Sequence, residues 1–170
     1  VQGDRDVSLT WQELLSADIL EIRPFKKRDA QQAFSVIEEC FTKIEPGRHT
    51  KRGIELQLQN NRPESLIEKS EIVKYFVAIR SGEVIGICGH DREQIHTLFV
   101  KPECQHEGIG GRLLSFVLER ARAEGIEQIT TWSTCFAMSF YKRVGFEVVR
   151  DIYLPEKKKD IGLIEMVKKL

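Results

Sequence analysis

Leu98-Phe99-Val100-Lys101-Pro102-Glu103-Cys104-Gln105-His106-Glu107-Gly108-Ile109-Gly110-Gly111-Arg112 is the stretch on which the reading of this 170-residue chain turns. An apolar run ends at a proline, and a short polar loop then delivers three glycines into an amphipathic segment. That segment carries Ile109, Leu113, Leu114, Val117, Leu118 and Ala121 at helical spacing and stops at Gly125. A strand–loop–helix junction of this kind leaves backbone N–H groups free at a helix N-terminus, where the macrodipole also favours negative charge. It is a seat for a phosphate or pyrophosphate.

Neither of the two common phosphate fingerprints fits. A dinucleotide loop needs a third glycine where Leu113 stands, and a P-loop needs Lys-Ser/Thr after the last glycine, where Arg112-Leu113 stand. What the segment resembles is the Gln/Arg-x-x-Gly-x-Gly/Ala element of the GCN5-related N-acetyltransferase (GNAT) superfamily, with Gln105, Gly108 and Gly110 at its defined positions and Leu98-x-Val100-x-Pro102 as the strand leading in. Downstream, Ala137-Met138-Ser139-Phe140-Tyr141-Lys142-Arg143-Val144-Gly145-Phe146 resembles the family's Ala-x-x-Phe-Tyr-x-x-x-Gly-Phe segment.

The order of elements extends this outward. A strand at Ile19–Arg23 precedes a helix begun by Asp29 and running to about Phe41, with Ala30, Ala33, Phe34, Ile37 and Phe41 on its apolar face. Pro46-Gly47 breaks the pattern, helical turns follow around Gly53–Gln59 and from Pro63, and Tyr75–Arg80 and Val84–Cys88 form a hairpin about Ser81-Gly82-Glu83. Gln94–Val100, Ile126–Trp132, Phe146–Leu154 and Ile161–Lys168 complete the strands, with a short helix over Phe136–Val144; Pro155 and Lys157–Lys159 fall in the last turn. The expected architecture is α/β (α+β): a mixed, mostly antiparallel sheet of about six or seven strands flanked by about four helices. The chain divides into an N-terminal extension, 1–18, and a single domain, 19–170.

By the resemblance, the two central parallel strands splay apart and receive the pantetheine arm of acetyl-coenzyme A, the acetyl donor. Leu98, Phe99 and Val100 would pair with its amides. The loop and helix start, Gln105, His106, Glu107, Gly108, Ile109, Gly110, Gly111 and Arg112, would hold its pyrophosphate. Many relatives carry asparagine seven residues before the tyrosine; here Thr134 stands there, keeping a hydroxyl and losing the amide. Tyr141 takes the family's acid role.

The chemistry is self-consistent. Thioester aminolysis needs a neutral amine, a polarised carbonyl and a proton for the departing thiolate, all held in line. A tyrosine with an ordinary pKa of about 10 is protonated at neutral pH and matches a thiolate in basicity. Backbone N–H groups near Phe99 and Val100 are placed to polarise the carbonyl. For the base, Glu93, Gln94 and His96 are near, or water suffices. His96 is the candidate, because strand alternation puts it on the face of Leu98 and Val100 and its pKa of about 6.5 suits the task.

Lys plus Arg and Asp plus Glu are 26 each, so no global field recruits nucleic acid or an anionic membrane. No apolar run approaches the roughly 20 residues that span a bilayer. Cys40, Cys88, Cys104 and Cys135 show no paired spacing, and Cys88, His90 and His96 do not make a four-ligand zinc pattern. A reduced, cytoplasmic protein without a metal is expected. The first residues are polar and charged, so no signal peptide is expected among them, and the start at Val1 suggests a processed or shortened chain with room for a further upstream region.

The function this implies is N-acetyl transfer from acetyl-coenzyme A to a primary amine, on a small molecule or a protein, by direct attack in a ternary complex. The alternative is a non-catalytic acyl-coenzyme A sensor or interaction domain, for which Tyr141 would have no use. Trp11, Trp132, Phe25, Phe34, Phe41 and Phe76 read as core, and Arg48, Lys51 and Arg52 as a solvated face near the acceptor. A homodimer through outer strands is a further expectation from the family.

Overall fold

The computed structural model describes residues 19–44, 49–134, 136–152 and 163–170. The N-terminal extension, Trp11, Arg48, Cys135, Pro155 and the lysine run lie outside the described residues.

Seven strands form one sheet: β1 (Glu21–Pro24), β2 (Lys74–Arg80), β3 (Glu83–His90), β4 (Gln94–Val100), β5 (Gln128–Thr134), β6 (Glu147–Ile152) and β7 (Leu163–Lys169), in the order β1-β2-β3-β4-β5-β7-β6. Every neighbouring pair is antiparallel except β4–β5. The helices are α1 (Ala30–Glu39), continued by a π-helical turn over Cys40–Ile44, α2 (Lys51–Asn60), α3 (Pro63–Lys69), α4 (Ile109–Ala123) and α5 (Met138–Arg143).

Each face of the sheet builds its own core. On one side α4 buries the apolar stripe read from the sequence, Ile109 through Ala121, against Phe76, Ala78, Ile85, Ile95 and Val100. On the other, Ala33, Val36, Ile37 and Phe41 of α1 and its extension, with Leu66 of α3, pack on Val77, Ile79, Val84 and Ile87. No helix among the described residues is long and apolar enough to cross a membrane.

Two local expectations shift, each for a physical reason. Asp29 does not cap α1 with its side chain. Its carboxylate is drawn into a pair with Arg23 (2.7 and 2.9 Å) and accepts the Lys26 N–H, so it closes the 3₁₀ turn Lys27–Asp29 instead. The strand expected from Ile126 begins at Gln128, because the Ile126 N–H bonds back to Ala121 O (3.1 Å) and Gly125 N–H to Arg122 O (2.9 Å), closing α4 in a Schellman motif.

Candidate functional site

Strands β4 and β5 are zipped together at only two places, Gln94 with Thr130 and Ile95 with Thr131. Beyond these they part. The cause lies in β4: between the pairs Gly89–His96 and Ile87–Phe99 the strand holds one residue more than β3, and Thr97 adopts φ 53°. This is a β-bulge, which bends the strand and re-aims its remaining residues.

The bulge is buttressed from β2. Tyr75 is buried, its hydroxyl lies near the Thr97 side chain, and its ring lies across Gly89. A Cβ at Gly89 would come within 2.5 Å of Tyr75 Cδ1, so only glycine leaves room for the ring.

The bulge also reverses a sequence-based expectation. Ile95 packs into the same core as Leu98 and Val100, whereas Phe99 joins the opposite one. Simple alternation would have grouped Ile95 with Phe99; the extra residue flips the remainder of the strand. His96, next to Ile95, therefore faces away from Leu98 and Val100, not with them. Its Nε2 sits 2.7 Å from Asp91 Oδ2, in the β3–β4 turn that Asp91 Oδ1 ties by accepting the Glu93 and Gln94 N–H groups.

Where the strands part, a cavity of about 910 Å³ opens. Leu98, Phe99 and Val100 border it from β4, and Thr131 to Thr134 from β5. Lys101 N–H bonds to Ile85 O of β3, so Phe99, two residues earlier, also directs its amide toward β3. It is the amides of Leu98 and Val100 that face the gap. The Val100 carbonyl accepts from Gln105 Nε2 and Cys40 Sγ, each at 3.1 Å, so the Gln105 side chain shapes the loop.

At the mouth of the cavity stand Gln105, His106 and the glycine-rich start of α4: Gly108 (φ 78°), Ile109, Gly110 and Gly111. A Cβ at Gly111 would meet nothing within 4 Å, so the first turn presents bare backbone to open space. No side chain caps this end and no acidic residue lies in the first turn. Glu107 is turned aside by Arg80 (2.7 Å) and Arg112 is exposed; neither borders the cavity, nor does His96.

Tyr141 borders the cavity from α5 and is 6% exposed. Its place is set by how α5 ends. Gly145 (φ 90°) donates to Lys142 O and Phe146 to Tyr141 O, both at 3.0 Å, a Schellman motif in which the tyrosine and the phenylalanine are the contacting apolar pair. Their rings meet edge to face at 5.3 Å, and Phe140 closes on Tyr141 from the other side at the same distance. The spacing Tyr-x-x-x-Gly-Phe is thus the spacing of a helix stop that pins the phenol. Burial raises the Tyr141 pKa above its usual value, the nearby Cys88 adds to this, and Thr131 in hydrogen-bond contact opposes it. The phenol therefore carries its proton at neutral pH.

Thr134 borders the cavity while its backbone and Oγ1 receive the Ala137 N–H, starting α5. Sequence reading missed part of the wall: Cys40, Gln57 and Asn61 from the helical layer, Trp132 and Phe136, and Arg143. Nothing in their local pattern marks them, because they meet only when helix, strand and loop are folded together. Phe41, read as core, packs in the α1-side core and also borders the cavity, whereas Trp132, read as core, is exposed beside it. Among the described residues no group of three or more His, Cys, Asp or Glu is placed to hold a metal ion.

Residues 48–170 match the family model described as acetyltransferase (GNAT) domain. An uncharacterized N-acetyltransferase of Methanocaldococcus jannaschii is 32% identical over 98 residues, 56% of this chain, which spans 40% of that relative's length. The uncharacterized N-acetyltransferase YafP of Escherichia coli is 23% identical over 133 residues, covering 77% of this chain and 83% of YafP. Among solved structures, the PaiA N-acetyltransferase of Thermoplasma acidophilum in complex with coenzyme A superposes with a TM-score of 0.75 at 22% identity, covering 89% of this chain and 99% of that one. A GCN5-related N-acetyltransferase of Rhodopseudomonas palustris superposes at 0.81 and 15% identity, covering 91% and 98%. The two superpositions show a shared fold, and with the family model spanning most of the sequence, the chain belongs to the GNAT family of acetyltransferases.

Proposed function

We propose that the chain transfers the acetyl group of acetyl-coenzyme A to a primary amine by direct attack in a ternary complex. The observation that carries this reading is the parting of β4 and β5 after Ile95, with an uncapped glycine-rich helix start at the mouth of the gap and a phenol on its wall. The coenzyme A complex of the Thermoplasma acidophilum relative supports the choice of donor.

In this reading the pyrophosphate rests on the first-turn amides of α4, where unpartnered N–H groups and the macrodipole both favour it. The pantetheine arm extends the β4 edge, and the Leu98 and Val100 amides pair with it and polarise the thioester carbonyl. The amine nitrogen forms the new bond to the acetyl carbon, the carbon–sulfur bond breaks, and Tyr141 gives its proton to the departing sulfur. With His96 tied to Asp91 outside the cavity wall, the proton of the attacking amine leaves to water.

Calorimetric titration with acetyl-coenzyme A is the test, with coenzyme A, NAD and ATP as controls. Saturable binding of the two coenzyme A ligands alone is expected, followed by thiol release on adding an amine. A folded sample that binds neither overturns the proposal.

A further inference from the structure

We infer that the acceptor is a primary amine on an aromatic or apolar body without a second cationic group, selected by Trp132; this rests on the acetyl-transfer reading above. The cavity runs through the sheet. One end is the helix mouth, suited to phosphates and so to the donor. The acceptor must then meet the acetyl group from the face of the sheet that carries α1. The lining there includes Phe41 and Phe99 of that core, Gln57 of α2, Asn61 at its end, and Trp132 and Leu163, which alternate with Ile129 and Ile164 of the opposite core.

That side is aromatic and neutral. The Phe41 and Phe99 rings stand 5.4 Å apart, tilted at 52°. Trp132 is 46% exposed on the opposite face of β5 from buried Thr131. A half-exposed indole beside a cavity offers a flat apolar surface on which a ring can stack. The polar contribution comes from amides: Asn61, 7% exposed, donates Nδ2 to Gln57 O (2.8 Å) and keeps Oδ1 as an acceptor for an amine N–H.

No described residue bordering the cavity is Asp or Glu. The carboxylate nearest Trp132 in register, Glu165, is engaged by Arg150 at 2.7 Å. A polyamine or aminoglycoside would bring several ammonium groups out of water where, among the described residues, no carboxylate borders the cavity to receive them, which is costly. A single amine on an aromatic body needs only to lose its proton and lay its ring on Trp132, Phe41 and Phe99.

The experiment compares 2-phenylethylamine with spermidine and kanamycin as acceptors, by thiol release from acetyl-coenzyme A, in the wild type, Trp132→Phe and Trp132→Ala. Phenylethylamine is expected to exceed spermidine at least about tenfold in kcat/KM. Trp132→Ala should lose about tenfold on phenylethylamine through KM, at an unchanged Kd for acetyl-coenzyme A, and Trp132→Phe should keep most of the activity. Three results would overturn the inference: spermidine or kanamycin preferred, phenylethylamine turnover indifferent to Trp132→Ala, or no acetylation of phenylethylamine by protein that binds acetyl-coenzyme A. Failure to bind acetyl-coenzyme A would instead bring down the transfer reading beneath it.

Discussion

The two ends of β4 obey different rules. At Gln94 and Ile95 the strand is zipped to β5, and the adjoining turn is locked by Asp91, which accepts two backbone N–H groups and holds His96. From Thr97 onward it is paired to β3 alone; its outer amides face a cavity, and side chains from both layers of helix converge there. One extra residue separates the regimes. A closed sheet satisfies its own backbone; an interrupted one leaves hydrogen-bonding edge for a ligand to complete.

The largest effect should come from erasing that difference. Deleting Thr97 restores simple alternation, lets β4 and β5 pair further and abolishes acetyl-coenzyme A binding in calorimetry. Wild-type affinity in the shortened chain would mean that the bulge is not what opens the gap. Next comes Tyr141→Phe, which keeps the ring packing and removes the proton: kcat should fall about 10²-fold or more with acetyl-coenzyme A affinity retained. Equal turnover would leave the phenol a packing residue and favour water as the acid, whereas cofactor binding without measurable acetylation even in the wild type would favour the sensor alternative.

At the closed end, Asp91→Ala should cost about 1–2 kcal/mol in denaturant unfolding at neutral pH, from two backbone N–H groups left without their acceptor. Burial raises the Asp91 pKa, but the Glu93 and Gln94 N–H groups and His96 outweigh it, so the net shift is downward. The folded pKa lies below the unfolded one, so the contribution is present above the ordinary carboxylate value of about 3.9 and is lost as pH falls through the folded value. The gap between wild type and variant should therefore narrow in acid; a gap constant to about pH 2 would exclude the ionised carboxylate as its source. Tyr75→Phe removes only the hydroxyl that meets Thr97 and should weaken acetyl-coenzyme A binding by about fivefold, near 1 kcal/mol. His96→Gln is the smallest perturbation. Turnover should show none of the roughly 10²-fold loss that removal of a general base produces, and such a loss would return His96 to the mechanism.

How much of this could be read beforehand depends on range. Ile109 through Ala121 recur at helical period, so α4 and its buried face were legible, as were the Ser81-Gly82 turn and the glycine-rich helix start. Tyr141 was legible because its partners, Gly145 and Phe146, lie within five residues in one helix stop. The direction of His96 was not: alternation is a local rule, and the bulge that breaks it is stabilised by Tyr75, more than twenty residues upstream. Asp29 looked like a helix cap for the same reason, since Arg23 reaches it only once β1 and α1 are packed.

The sequence by itself determined the strand and helix order, the glycine-rich helix start and the place of Tyr141, because each rests on periodicity, a glycine at a required φ or a helix-stop spacing within a few residues. Tertiary structure decided where the sheet opens, which face each β4 residue presents, and that Phe41, Asn61 and Trp132 border one cavity. Those outcomes depend on one unpaired residue in β4 and on contacts across layers, which no local pattern records.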